Sequence, residues 1–175
     1  INKIFLEEKP TLFFGVPTLF AMLLASDNLP TKDEHNVRLC ISAGEPLPSD
    51  LLARWQGTFG VDILDGLGTT EMLHIFVSNR PDEITPGSTG RVVPGYQIRL
   101  INDNNEVCAP GEMGVLEVSG PSSALMYWRQ RQKTKDTFKG TWTRTGDNYS
   151  ISEKGVMTYG GRNDDMLKVG GIYVS

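Results

Sequence analysis

The sequence predicts an α/β protein, a parallel-sheet βαβ lobe followed by a β-rich unit. Three observations lead there. Residues 11–68 alternate strand, helix, strand, helix, strand, which implies parallel pairing with right-handed crossovers. After Pro81 the helical period stops, and Pro86, Pro94, Pro110 and many glycines break the chain into short segments. The 175 residues, 39% of them hydrophobic, suffice to bury one to two domain-sized cores. The expected organisation is an α/β lobe over residues 1–85, a β-rich subdomain over 86–162, and the start of a further unit over 163–175.

Thr11 to Phe14 reads as a short buried strand. Pro17 follows as a first helical residue, where its missing N–H costs nothing. Leu19, Phe20, Leu23 and Leu24 recur at helical spacing, and Asn28-Leu29-Pro30 ends the element. Val37 to Ser42 is a second strand running into the turn Ala43-Gly44-Glu45-Pro46. Asp50 to Phe59 is an amphipathic helix with Leu51, Leu52, Trp55 and Phe59 on one face, stopped by Gly60. Val61 to Leu64 is the third strand, entering a turn at Gly66-Leu67-Gly68. In the second part, Tyr96 to Ile101 and Met113 to Val118 read as strands, with Asp103-Asn104-Asn105 as a turn. Arg129 to Phe138 reads as a basic helix, and Thr145 to Ser152 with Val156 to Tyr159 as a hairpin around Glu153-Lys154-Gly155.

Lys and Arg number 17 against 21 Asp and Glu, a net charge of −4. This lacks the basic excess of nucleic-acid binders. No apolar run approaches the roughly 20 residues that span a bilayer, and Ile1 to Phe5 does not open a signal peptide. A cytoplasmic protein is the default expectation. Cys40 and Cys108 lie far apart, in no metal-ligand spacing, and read as buried free thiols.

Four segments can carry chemistry. Ser42 to Pro48 follows a parallel strand, at the sheet end where ligands of such folds bind, with a glycine that lets backbone approach a flat base. Asp65-Gly66-Leu67-Gly68-Thr69-Thr70-Glu71 sets a hydroxyl beside a carboxylate, which suits a phosphate oxygen and its Mg²⁺. Thr143-Arg144-Thr145-Gly146-Asp147 offers a carboxylate that can accept from vicinal ribose hydroxyls. Gly160-Gly161-Arg162-Asn163-Asp164-Asp165, continuing to Lys168, Gly170 and Gly171, suits a polar pivot. Each alone also reads as ordinary structure: a strand–helix turn, a glycine turn, an Asx-type turn or a solvated charged loop.

Their order is similar to that of the adenylate-forming superfamily, which includes acyl-CoA synthetases, luciferases and peptide-synthetase adenylation domains. The stretches Asp65 to Pro81, Met126-Tyr127-Trp128 and Met166 to Ser175 resemble its benzoate–CoA ligase branch most closely. The resemblance implies an acyl-CoA synthetase-like fold with a distorted barrel-like β subdomain. It also implies ATP-dependent formation of an acyl-adenylate from an aromatic carboxylate, then transfer to CoA, with ATP/AMP, Mg²⁺ and CoA bound.

By that resemblance Ala43, Gly44, Glu45 and Pro46, with Asp65 and Gly66, would border the nucleotide. Thr70 would contact the α-phosphate, and Glu71 would hold Mg²⁺. Asp147 would bind the ribose hydroxyls, with Arg162 assisting. Asp164 would be the hinge, and Lys168, Gly170 and Gly171 would serve thioester formation near the CoA arm. Gly66, Leu67, Gly68, His74 and Ile75 would line the acyl pocket; a plain packing or hydrogen-bonding role for His74 reads equally well. Where most of the superfamily places an aromatic residue for stacking on adenine, this chain has Asp65. The phosphate loop is expected before residue 1 and the adenylation lysine beyond Ser175, so the remainder of the chain is an expected partner. Gly87-Ser88-Thr89-Gly90 superficially resembles that loop but lacks the Pro-Lys that follows it. Two other readings stay open: a non-catalytic nucleotide- or partner-binding remnant, and an adenylating enzyme using a carrier-protein thiol, toward which the basic helix could face.

Overall fold

A computed structural model describes residues 1–162, 167–169 and 172–174. The chain divides into two compact units: Ile1–Leu67 with Ser78–Gly90, and Gly68–Val77 with Arg91–Ser175. The expected boundary at residue 85 falls inside the segment that returns to the first unit.

In the first unit the elements run α1 (Asn2–Glu7), β1 (Leu12–Gly15), α2 (Pro17–Leu24), β2 (Leu39–Ala43), α3 (Ser49–Phe59) and β3 (Ile63–Gly68). Strands β1, β2 and β3 pair in parallel, in that order. The core is largely aromatic. Phe20 meets Trp55 edge-on at 4.9 Å, and Trp55 packs on Phe59 at 4.5 Å. Leu51, Leu52, Trp55 and Phe59 of α3 are all buried, as their spacing dictates. Gly60 closes that helix in the left-handed region at φ 73°, its N–H donating to the Gln56 carbonyl at 3.0 Å. Helix α1 has no counterpart in the sequence reading; at six residues it is too short to show a period, and it is fixed by burying Phe5.

The largest departure lies at Gly66-Leu67-Gly68. The expected turn is the end of strand β3, because pairing with β2 continues through Ser42↔Asp65 and Ala43↔Gly66. Cys40 is a buried free thiol as expected, and burial pushes its pKa up to about 12. Cys108 is free but only half-buried. Gly87 to Gly90 is a packed internal turn: Asn79 Nδ2 donates to the Ser88 carbonyl at 2.7 Å, and Ser88 Oγ to the Thr85 carbonyl at 2.8 Å.

In the second unit, a short 3₁₀ turn (Thr70–Met72) precedes β4 (Ile75–Ser78), which neighbours β5 (Arg91–Val92). There follow β6 (Gln97–Ile101), β7 (Met113–Ser119), α4 (Arg131–Thr137), β8 (Phe138–Lys139), β9 (Trp142–Ile151) and β10 (Met157–Arg162). These strands form an open antiparallel sheet in the order β10-β9-β7-β6, with β8 on β9. Farther on, β11 (Leu167–Val169) pairs antiparallel with β12 (Ile172–Val174).

Strand β9 begins earlier than expected and contains the whole Thr-Arg-Thr-Gly-Asp segment. Val115 pairs with Asn148 and Glu117 with Arg144, so Thr145, Gly146 and Asp147 form a bulge. Gly146 supplies the positive φ of 82° that the bulge needs. The expected Asx-type turn is therefore a kink inside a strand, and its geometry is set by β7.

Candidate active site

The expected site residues fall in both units. In the first unit, β2 and β3 bring two motifs side by side at their carboxyl ends, with Ala43 opposite Gly66 and Ser42 opposite Asp65. Gly44 takes φ 92°, which turns the chain sharply after β2. Glu45 and Pro46 are exposed, and Thr18 Oγ1 of α2 donates to Glu45 Oε2 at 2.8 Å. Leu47, buried at 6% exposure, anchors the far side of this turn.

Asp65 is buried at 5% exposure. Burial pushes its carboxyl up to about 7, against hydrogen bonds from the backbone of Leu47 and Gly66 and from the Thr89 side chain. Among the described residues, Asp65 Oδ1 and the hydroxyl of its cross-strand neighbour Ser42 are buried without a partner. Such orphaned polar atoms are uncommon in native interiors and mark a place where further polar groups belong.

In the second unit, Thr69 caps the 3₁₀ turn, its hydroxyl accepting from the Met72 N–H at 3.3 Å. Thr70 is exposed and Glu71 half-buried. Burial alone would raise the Glu71 pKa. Hydrogen bonds from the Tyr127 hydroxyl, the Glu71 backbone and Thr69, with the charge of Lys133, outweigh it and hold the carboxyl below the ordinary range. Glu71 is thus ionised at neutral pH on a turn next to an exposed hydroxyl. Leu73 adopts φ 68°, an uncommon conformation for a branched residue. It is pinned by its N–H on the Thr70 carbonyl at 3.2 Å and by the His74 N–H on the Met72 carbonyl at 2.8 Å. Gly68 lies against this turn so closely that a Cβ would sit 2.7 Å from the His74 carbonyl oxygen. Ile75 is half-buried and His74 is exposed.

In the same unit, Asp147 is buried on the β9 bulge. Its N–H donates to Thr145 Oγ1 at 3.1 Å, and Thr145 Oγ1 donates to the Leu116 carbonyl at 3.1 Å. Arg162 pairs with it in register from β10, with Nη1 to Oδ1 at 3.7 Å. Asp164, Gly170 and Gly171 lie outside the described residues, and Lys168 is described only as part of β11.

Magnesium is implied by the motif resemblance. No cluster of three or more His, Cys, Asp or Glu that could hold a metal occurs among the described residues. A single ionised Glu71 fits Mg²⁺ all the same, since that ion takes one or two carboxylates and completes its shell with water and substrate phosphates. Sequence reasoning missed Thr18 on Glu45 and Tyr127 on Glu71. The second had a faint signal, a polar-tipped aromatic flanked by apolar neighbours in Met126-Tyr127-Trp128.

No helix among the described residues is long and apolar enough to cross a membrane. A family model described as AMP-binding enzyme matches residues 2–128. The benzoate–CoA ligase of Thauera aromatica is 55% identical over 170 residues, covering 97% of this chain and 32% of that protein. A solved benzoate CoA ligase from Burkholderia xenovorans LB400 superposes with a TM-score of 0.92 at 49% identity, over 95% of this chain and 34% of that one. An anthranilate CoA ligase solved with anthranoyl-AMP superposes at 0.93 with 43% identity, over 99% of this chain and 34% of that one. The chain spans about a third of the length of these relatives, and it belongs to the AMP-binding enzyme family.

Proposed function

We propose that this chain is part of an aryl carboxylate–CoA ligase that takes a benzoate-like acid. The observation that carries the reading is the 55% identity with a benzoate–CoA ligase, which runs across nearly the whole chain. The pairing of a relative with anthranoyl-AMP supports an aryl adenylate as the intermediate.

In this reading the carboxylate of the aromatic acid attacks the α-phosphorus of ATP and pyrophosphate leaves. The CoA thiol then attacks the carbonyl carbon, its proton goes to solvent, and AMP leaves with the electrons of the broken C–O bond. No protein nucleophile is needed; the protein positions groups and stabilises charge. Ala43 to Pro46, with Asp65 and Gly66, border the nucleotide. Because Asp65 is buried and has no aromatic face, its contribution is polar rather than stacking. Thr70 donates its hydroxyl to an α-phosphate oxygen, and the ionised Glu71 holds the metal. Mg²⁺, when bound, neutralises phosphate charge as it shifts toward pyrophosphate. Asp147 accepts from the ribose hydroxyls, with Arg162 assisting. Gly66, Leu67, Gly68, His74 and Ile75 line the acyl pocket. Asp164 serves as the hinge, and Lys168, Gly170 and Gly171 serve the thioester-forming arrangement.

The phosphate loop and adenylation lysine belong to the remainder of a cytoplasmic protein, and the 175 residues alone carry little or no ligase activity. Benzoate-dependent ATP–pyrophosphate exchange by the complete reading frame tests the proposal. Exchange with benzoate, but not with acetate or amino acids, is the expected result. No exchange with any carboxylate would overturn it in favour of a binding module.

A further inference from the structure

We infer that Tyr127 is a positioning residue for Glu71, the end of a strap from Ser122 to Tyr127 that orients the carboxylate toward a nucleotide-bound divalent cation. The inference rests on the ligase reading above for the cation, and on three contacts for the strap. Ser122 Oγ donates to the Met72 carbonyl at 2.7 Å. The Ala124 N–H donates to the Glu71 carbonyl at 2.7 Å. The Tyr127 hydroxyl donates to Glu71 Oε1. Backbone and side chain of the same residue are thus gripped by one segment more than 50 positions away.

Apolar burial does not hold this segment in place. Leu125, Met126 and Trp128 are 88%, 58% and 80% exposed, while the polar groups between and before them turn toward Glu71. Tyr127 is itself fixed from α4 and β8. Its N–H donates to Thr134 Oγ1 at 3.0 Å, Lys133 Nζ lies 4.2 Å from the ring centroid, and Phe138 packs at 5.5 Å. The chemistry suits the task. A phenol hydroxyl stops the carboxylate from rotating without cancelling its charge, as a lysine or arginine in its place would. The nearby cation, Lys133, is engaged by the face of the Tyr127 ring.

The test uses the complete protein with Tyr127→Phe, which removes one oxygen and keeps the ring. Mn²⁺ binding to the ATP complex is followed by electron paramagnetic resonance, and AMP binding without metal by equilibrium dialysis. Loss of a hydrogen bond to a charged group predicts Mn²⁺ affinity about tenfold weaker, with metal-free AMP affinity unchanged. Ser122→Ala, which loosens the strap but keeps the Tyr127 hydroxyl, should weaken Mn²⁺ binding in the same direction and by less. Unchanged Mn²⁺ affinity in Tyr127→Phe would overturn the inference. So would an equal loss of metal-free AMP affinity, which marks a purely structural role. Absence of exchange in the wild-type protein would sink the ligase reading, while the Mn²⁺ comparison would still decide the role of Tyr127.

Discussion

Arg162 and Asp147 are cross-strand partners of β10 and β9, and their side chains meet at 3.7 Å although one is buried and the other half in solvent. The asymmetry separates two roles. The buried carboxylate sits on a fixed bulge, whereas its partner is screened by water. With Arg162 half in solvent, the attraction is screened and contributes about 0–1 kcal/mol.

Replacing Arg162 by Gln should therefore change stability by less than about 1 kcal/mol and weaken AMP binding only modestly. Asp147→Asn should cost about tenfold or more in AMP affinity, since a charged acceptor is lost at an ordered position. Equilibrium dialysis of the complete protein with AMP checks both.

Glu117 is the most confined charge among the described residues of the second unit. It is 2% exposed, bound by Arg99 Nη2 at 2.7 Å and approached by Arg144 Nη1 at 3.4 Å, with Arg99 lying 4.3 Å over Trp142. Removing one partner of a buried ion pair costs about 3–5 kcal/mol. Both arginines reach solvent, so Glu117→Ala should fall at the lower end, about 3 kcal/mol, in thermal unfolding. Arg144 directly precedes the bulge, so AMP affinity should fall as well.

The Asp65 carboxyl lies near 7 in the fold against an ordinary 3.8. The folded state holds this proton more tightly than the unfolded chain does. The group's contribution is fully present at low pH and is lost as pH rises from about 4 through 7, with a slope of up to about 1.4 kcal/mol per pH unit. Asp65→Asn should flatten this dependence, and urea midpoints at about pH 5 and about pH 8 would show the difference shrink. An unchanged slope would mean that Asp65 ionises freely.

Two glycines should respond oppositely to alanine. At Gly68 the new Cβ would meet the His74 carbonyl at 2.7 Å and the Ile75 nitrogen at 3.0 Å, forcing the turn open. Gly68→Ala should destabilise by about 1–3 kcal/mol and raise the KM for the aromatic acid in the exchange assay. Gly57 is on the exposed face of α3 with nothing within 4 Å of a Cβ, so Gly57→Ala should stabilise by about 0.5–1 kcal/mol.

Local pattern carried the elements whose burial is periodic. Leu51, Leu52, Trp55 and Phe59 define α3 by spacing alone, and Gly60 ends it where a left-handed residue is required. Pattern failed where a neighbouring strand decides. Gly66-Leu67-Gly68 has turn composition, yet it continues strand β3, with Asp65 and Gly66 paired to β2 and the acid buried. Thr145-Gly146-Asp147 likewise became a bulge because of its register with β7. The motif order singled out Glu71 and Asp147, which lie on a 3₁₀ turn and on a strand bulge. It gave no access to the grip of Tyr127 on Glu71, since a contact across 56 positions leaves no local periodicity to read.

The return of residues 78–90 to the first unit bears on how such a gene can be recombined. A single crossover with a relative between positions 68 and 77 would join a parental 1–67 to a foreign 78–90 within one packed body, and one between 78 and 90 would split the returning segment itself. Within that segment Gly90 folds back on its start, because a Cβ there would lie 2.3 Å from the Asn79 nitrogen and the Ser78 oxygen. Exchanges placed after residue 90 keep that body in one lineage, whereas those placed earlier must also match the partner's turn atom for atom.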